Sequence, residues 1–235
     1  MLKITKTEEL AARNIPFGVV EVRYPPREEW RVDEFRAFAQ GELERARESY
    51  PDYERKAVFG SDPYVRFFKK FKKTYTVMLQ FESIIIKRLP FPLCDPVTEI
   101  PYLLELTTCM LSGTHDIDRI EGGVELYSGT DRTPFAGMHG RECHTYPGDF
   151  VGRDGAGIIF SEIAGADDRT CARPDSSHVF YPVFGTPDMD RNLISSAVDK
   201  LVSYVRILAP NAKSRLILFK KAWSRICSRP FKAVC

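Results

Sequence analysis

An α+β fold, rather than a doubly wound parallel one, is what the sequence predicts, and three features carry that expectation. Helical periodicities dominate residues 32–112, short β-like runs broken by Gly, Pro, Asp and Thr fill residues 122–184, and a strongly amphipathic helix follows. Before them, FGVVEVRY alternates as a strand. In VDEFRAFAQGELERARESY the spacing places Phe35, Phe38 and Leu43 on one helix face. SDPYVRFFKKFKK reads as a helix capped by Ser61 or Asp62, with Pro63 first inside, Phe67, Phe68 and Phe71 turned inward and its lysines outward. FESIIIKR makes a short helix ended by LPFP. DPVTEIPYLLELTTCML reads as a helix with Pro101 in its first turn, because a deeper proline breaks the ladder, and with Ser112 and Gly113 at its end. The runs GVELYS, GDFVGR, GIIFSEI and HVFYPVFG then predict an antiparallel sheet assembly, with GRDGAGII as a hairpin turn. In TPDMDRNLISSAVDKLVSYVRIL, residues from Leu193 to Val205 repeat at helical spacing, giving a closing amphipathic helix.

At 235 residues, 43% hydrophobic and 28% charged, the chain is long enough to bury a substantial core. It holds no apolar run of the length a membrane span needs, and the opening MLKITKTEELAARNIPF has no apolar stretch of a secretory leader, so a cytoplasmic, reducing setting is expected. The six cysteines are scattered, which predicts reduced thiols. Net charge is only +2, but the tail from Asn211 holds seven basic residues and no acidic one. A second basic group comprises Arg66, Lys69, Lys70, Lys72 and Lys73. Such local patches attract polyanions even on a nearly neutral molecule. The expected division is a domain over residues 1–210 and a basic tail over 211–235. In the tail, ILFKKAWSRI is helical in pattern, with Leu218, Trp223 and Ile226 along one side.

The densest group of soft ligands is MHGRECH, with His139, Cys143 and His144. Flanking glycines and prolines predict a surface loop there, so neither a metal nor a cofactor is expected. Imidazole titrates near neutrality, which singles out His115 and His178 for acid–base work. His115 follows a helix end and precedes acids that can orient it; His178 starts a β-like run and is expected to point outward. There is no phosphate loop and no nucleophile elbow.

The order of segments goes further than any one of them. LCDPVTEIPYLLELTTCMLSGTHDIDRIEGG, then PGDFVGRDGAGIIF, DDRT and VFYPVFGTP before an amphipathic helix, resembles the stand-alone relatives of the B3/B4 editing domain of the phenylalanyl-tRNA synthetase beta subunit. The likeness covers roughly residues 15 to 208. It implies a layered β/β/α domain with a pocket for the aminoacyl end of a charged tRNA. In the synthetase that domain hydrolyses tyrosine wrongly attached to phenylalanine tRNA. The resemblance implies a substrate-binding lining of Tyr102, Glu105, Gly113, Asp116, Gly157, Ile158, Glu162 and Pro182. Tyr102 stands where the synthetase has asparagine, Gly113 where it has its pocket histidine, and a residue near Pro182 where it has glutamate. Stand-alone relatives carry a histidine at the place of His115, and Gly157 matches the pocket glycine.

The activity so implied is deacylation in trans of mischarged or unusual aminoacyl-tRNA. His115 or a neighbouring acid would position the water, and the amides of Gly157 and Ile158 would receive the oxyanion. The alternative is a non-catalytic module that captures an amino acid or aminoacyl-tRNA. Either way the expected partners are tRNA and an amino acid, not DNA or a membrane. Phosphate contacts are expected from Arg66, Lys69, Lys70 and Lys73, and in the tail from Lys213, Arg215, Lys220 and Lys221.

Overall fold

The structure, a computed structural model, describes residues 1–219. Its elements run β1 (Ile4–Lys6), α1 (Glu8–Ala12), β2 (Phe17–Arg23), α2 (Val32–Glu48), α3 (Arg55–Phe59), α4 (Pro63–Lys70) and α5 (Thr76–Phe81), the last continuing into a wider π-type turn at Glu82–Ile86. Then come α6 (Pro96–Thr108), β3 (His115–Asp116), β4 (Val124–Ser128), β5 (Pro134–Gly137) and β6 (Arg141–His144). The remainder is β7 (Phe150–Arg153), β8 (Ile158–Ser161), β9 (Gly165–Ala166), β10 (His178–Phe184), α7 (Arg191–Leu208) and β11 (Lys213–Leu218). The class is α+β, as expected.

Two sheets face one another. A five-stranded sheet runs in the order β1-β4-β7-β8-β9 and a four-stranded one β11-β2-β10-β3, while β5 and β6 form a separate hairpin. Adjacent residues of β2 show what covers each face of the four-stranded sheet, because side chains alternate along a strand. Phe17 meets Phe150 of the five-stranded sheet at 5.0 Å between ring centroids. On the other face a Cβ at Gly18 would lie 2.7 Å from Val198 Cγ2 of α7, so only glycine lets the helix settle this closely. The alternation of FGVVEVR thus locates the strand but conceals that both its faces are buried.

Helix ends follow local chemistry. Asp62 Oδ1 accepts from the amides of Tyr64 at 2.8 Å and Val65 at 3.1 Å, with Pro63 at the first helical position, as the sequence predicts. In α6, Asp95 caps and Pro96 takes that first position, so Pro101 lies in the interior of the helix and not in its first turn. An interior proline costs roughly 3 kcal/mol. Burial of Val97, Ile100, Leu103 and Leu104 opposes that cost at about 1.5–3 kcal/mol per side chain. The helix stops at Cys109, which adopts a left-handed φ of 55°, four residues before the expected Gly113.

Three other expectations are corrected. MHGRECH is a hairpin, not a loop: β5 and β6 pair from Pro134↔His144 to Gly137↔Arg141, and His139 and Gly140 turn the chain at positive φ. Strand geometry then sends Cys143 and His144 to opposite faces, so they cannot converge as ligands. In α7, Leu193 is 50% exposed, while Ile194, Ala197, Val198, Leu201 and Val205 form the buried stripe. Finally, α7 does not close the fold. The chain returns as β11 and pairs antiparallel with β2 from Lys213↔Arg23 to Leu218↔Gly18, so the sheet runs across the expected boundary at residue 210 and these residues are extended, not helical. Pairing satisfies backbone groups along an otherwise open edge of β2. Lys220, Lys221, Trp223 and Ile226 lie outside the described residues.

Candidate functional site

His115 is a core residue, 1% exposed, on the inner face of the four-stranded sheet. Its ring stacks on Phe180 at 4.9 Å and 15°, and touches Phe160 of the opposing sheet at 5.5 Å. Burial lowers its pKa to about 3, so it is neutral at physiological pH. Nδ1 lies 2.9 Å from Thr170 Oγ1, and the same hydroxyl bonds to Asp167 Oδ1. A hydroxyl has one proton, and giving it to the carboxyl leaves the oxygen to accept from Nδ1–H. The relay His115–Thr170–Asp167 thereby selects the Nδ1–H tautomer.

Gly157 closes the β7–β8 turn at φ 145°. Its amide does not stand free for an oxyanion: Asp154 Oδ1 accepts from Gly157 N at 3.1 Å and Ala156 N at 2.9 Å. Ile158, half-buried, begins β8 opposite Arg153. Burial opposes ionisation of Asp154, but hydrogen bonds from the Glu121 amide and from Arg169, 2.7 Å away, outweigh it and hold the carboxyl below the usual range. Asp116 is likewise fully occupied, accepting from Ser176 Oγ at 2.6 Å, Arg119 Nε at 3.3 Å and Asp118 N at 2.9 Å.

Four of the expected lining residues do come together. Gly113 N donates to Pro182 O at 3.2 Å, and a Cβ on Gly113 would sit 3.6 Å from Pro182 Cγ. A strand residue directs its N–H and C=O to the same neighbour. The donor Pro182 lacks therefore faces Gly113 and not β2. One helical turn from half-buried Tyr102, Glu105 Oε1 accepts from Ser112 N at 2.9 Å. Burial pushes the Glu105 carboxyl up to about 8.

Glu162, 4% exposed, lies in the turn between β8 and β9. Neither of its carboxyl oxygens has a hydrogen-bond partner among the described residues, nor does Asp149 Oδ1. Burial, with Asp149's charge adding to it, drives the Glu162 carboxyl well above the ordinary range; burial pushes Asp149 up to about 6. Tyr64 is a further buried polar group that the sequence did not single out. The hydroxyl of Tyr64, fully buried and bonded to Phe184 O, is pushed up by burial first and then by the charges of Glu162, Asp62 and Glu105. A buried carboxyl lacking a partner is costly unless it stays protonated or meets a cation. Arg13 is the cation whose charge acts on the Glu162 carboxyl.

The basic residues divide. Lys69, Lys70 and Lys73 are exposed at and beyond the end of α4, and exposed Arg66 reaches Asp188 at 4.0 Å. Lys213 is exposed opposite Arg23. Arg215 is not free: Glu21, its cross-strand partner, accepts from Nε at 2.9 Å, and Leu2 O takes a further bond at 2.8 Å. His178 does not point outward either. It is buried, with Nε2 donating to Glu21 Oε1 at 3.1 Å and Nδ1 3.0 Å from the Arg23 guanidinium. Among the described residues, no group of three or more His, Cys, Asp or Glu is placed to hold a metal, and no helix is long and apolar enough to cross a membrane. A groove of about 320 Å³ between Arg47, Tyr50, Tyr53 and Arg88, and one of about 240 Å³ beside Arg23 and Lys213, are not lined by Tyr102, Glu162 or Gly157.

No protein-family profile matches the chain. Over 69 residues, 29% of its length, it is 35% identical to the phenylalanine-tRNA ligase beta subunit of Mycoplasma genitalium, and that stretch spans only 9% of the relative. Among solved structures, an N-terminal fragment of the phenylalanyl-tRNA synthetase beta subunit from Pyrococcus horikoshii aligns with 91% of this chain at TM-score 0.47 and 11% identity, the chain covering 50% of that fragment.

Proposed function

We propose that this chain is a B3/B4-like module of the cytoplasm that binds the aminoacyl end of a charged tRNA. The observation carrying this reading is the local likeness to a tRNA ligase beta subunit. The site chemistry is compatible with it: Glu162 offers two unpartnered carboxyl oxygens to the α-ammonium of an esterified amino acid. Lys69, Lys70 and Lys73 supply cations for the phosphates. Burial raises the Glu162 carboxyl, so capture of an ammonium, which favours the ionised form, is coupled to proton release.

Two results are expected. Titration calorimetry with a non-hydrolysable aminoacyl-tRNA analogue, run in buffers of different ionisation enthalpy, gives net proton release. Glu162→Gln abolishes that release and weakens binding by about 10- to 100-fold, the range of a charged hydrogen bond worth 1.5–3 kcal/mol. Equal affinity for charged and uncharged tRNA would end the aminoacyl reading.

Deacylation is the second reading, favoured by the His115–Thr170–Asp167 relay. A tautomer with the proton on Nδ1 leaves Nε2 as a base. On this reading water reaches His115 only after the inter-sheet region opens, because the ring is sealed in the structure. Thr170→Val and His115→Ala are then expected to lower single-turnover hydrolysis across a panel of aminoacyl-tRNAs by at least about 100-fold, the lower range for a lost general base. Hydrolysis unchanged in His115→Ala removes this histidine from the chemistry.

A further inference from the structure

The exposed surface joining α4 to the β5–β6 hairpin holds a cation cluster beside one aromatic ring. Lys69 and Lys70 end α4; Lys72 and Lys73 follow it. Lys72 N bonds to Lys69 O at 3.0 Å and Lys73 N to Phe68 O at 3.1 Å, so the helix ends in a Schellman arrangement with Lys72 at the left-handed position, φ 56°. Glycine is the usual occupant of that position, and a lysine there is retained at a conformational cost. None of these four lysines lies within ion-pair distance of a carboxylate among the described residues.

Phe71 anchors this helix end to the second element by meeting Tyr146 edge-on at 5.8 Å. Tyr146, just past β6, is half-buried. Lys73 Nζ lies 5.8 Å and Arg132 Cζ 5.6 Å from its ring centroid, and His144 packs edge-on at 4.6 Å. The Arg132 guanidinium donates to His144 Nε2, which holds it beside the tyrosine. Two cations, Lys73 and Arg132, thus flank one ring, with Lys69, Lys70 and Lys72 on the adjoining helix end, while the apolar side chains of the same helix, Phe67 and Phe68, are buried.

We propose that the Tyr146 surface docks the unpaired terminus of an RNA, a base stacking on the tyrosine ring while Lys73, Arg132 and the α4 lysines take the flanking phosphates. An aromatic platform inside a cation cluster suits single strands, because an unpaired base has a free π-face and duplex bases do not. A lipid surface calls for exposed apolar anchors, which the patch lacks. The inference rests on the tRNA reading above and assigns the place where the unpaired end lands.

Fluorescence anisotropy with a short labelled single-stranded RNA, and with the same strand in a duplex, tests it on the full chain. Wild type is expected to prefer the single strand. Tyr146→Ala weakens binding by about 5- to 100-fold with the salt slope unchanged, the range of one base stacked on an aromatic ring. Tyr146→Phe, which keeps the ring, binds like wild type. Arg132→Ala and Lys73→Ala each lower the salt slope by about 1. Thermal melts check that every variant is folded. Unchanged affinity in Tyr146→Ala, equal loss in Tyr146→Phe, preference for the duplex, or tighter binding to phosphatidylserine vesicles than to RNA overturns the proposal. The RNA here is uncharged, so such a failure leaves the Glu162 reading standing, and failure at Glu162 leaves the stacking result intact.

Discussion

Replacing Phe160 with alanine is expected to destabilise the domain by roughly 3–5 kcal/mol, the range for removing a large aromatic from a packed core. Phe160 stands where the sheets meet. Its ring lies 5.2 Å from Phe184, 5.5 Å from His115 and 6.3 Å from the parallel ring of Phe150. It also lies over Gly152, where an added Cβ would come within 2.4 Å of the ring carbons. This close approach makes a second outcome calculable. Gly152→Ala alone collides with the ring, but in the Phe160→Ala background the same methyl enters space already vacated. The two changes are in direct contact, so a double-mutant cycle by urea denaturation should show them coupled by 0.5 kcal/mol or more. Strictly additive losses would mean that Phe160 does not sit over that glycine.

The second large effect is a dependence of stability on pH that belongs to Glu105. Its carboxyl is raised from 4.5 to about 8 by burial, so the folded chain keeps a proton that the unfolded chain releases. The stability from this group is fully present below pH 4.5 and is lost as pH rises toward 8, by up to about 1.4 kcal/mol per pH unit. Glu162, also raised, acts in the same direction. His115 acts oppositely: its depressed pKa means stability is lost as pH falls from 6.5 toward 3. The informative quantity is therefore the difference between Glu105→Gln and wild type. Glutamine keeps an acceptor for the Ser112 amide and carries no charge, so its stability relative to wild type should rise steadily from pH 5 to 8. Parallel denaturation curves over that interval would show that Glu105 is solvated.

Much of the fold was legible wherever one short segment carries its own instructions. Asp62 and Pro63 announce the start of α4, and the stripe of α7 from Ile194 to Val205 announces its buried face. Illegible features depend on residues distant in the chain. His178 looks like the exposed start of a strand until the register brings β2 beside it, supplying Glu21 and Arg23 as partners. Arg215 reads as a free cation in a basic tail until β11 pairs and sets it opposite Glu21. The helix end at Cys109 was hidden because a non-glycine residue took the left-handed position. In the candidate site, Gly113 and Pro182 were named from resemblance and do touch. The burial of Glu162 without a hydrogen-bond partner has no sequence signature, since nothing in the spacing states which residues close over that turn.

The returning strand β11 also decides how this protein can be shortened. Ending the chain at residue 210 would strip β2 of one flank and leave an apolar, two-sided ribbon with a bare row of amides, an invitation to pair with the next molecule in solution. Such a fragment would clump before it revealed anything about the basic tail. A stop codon after Phe219 keeps the ladder whole, so that whatever changes afterward belongs to the residues removed.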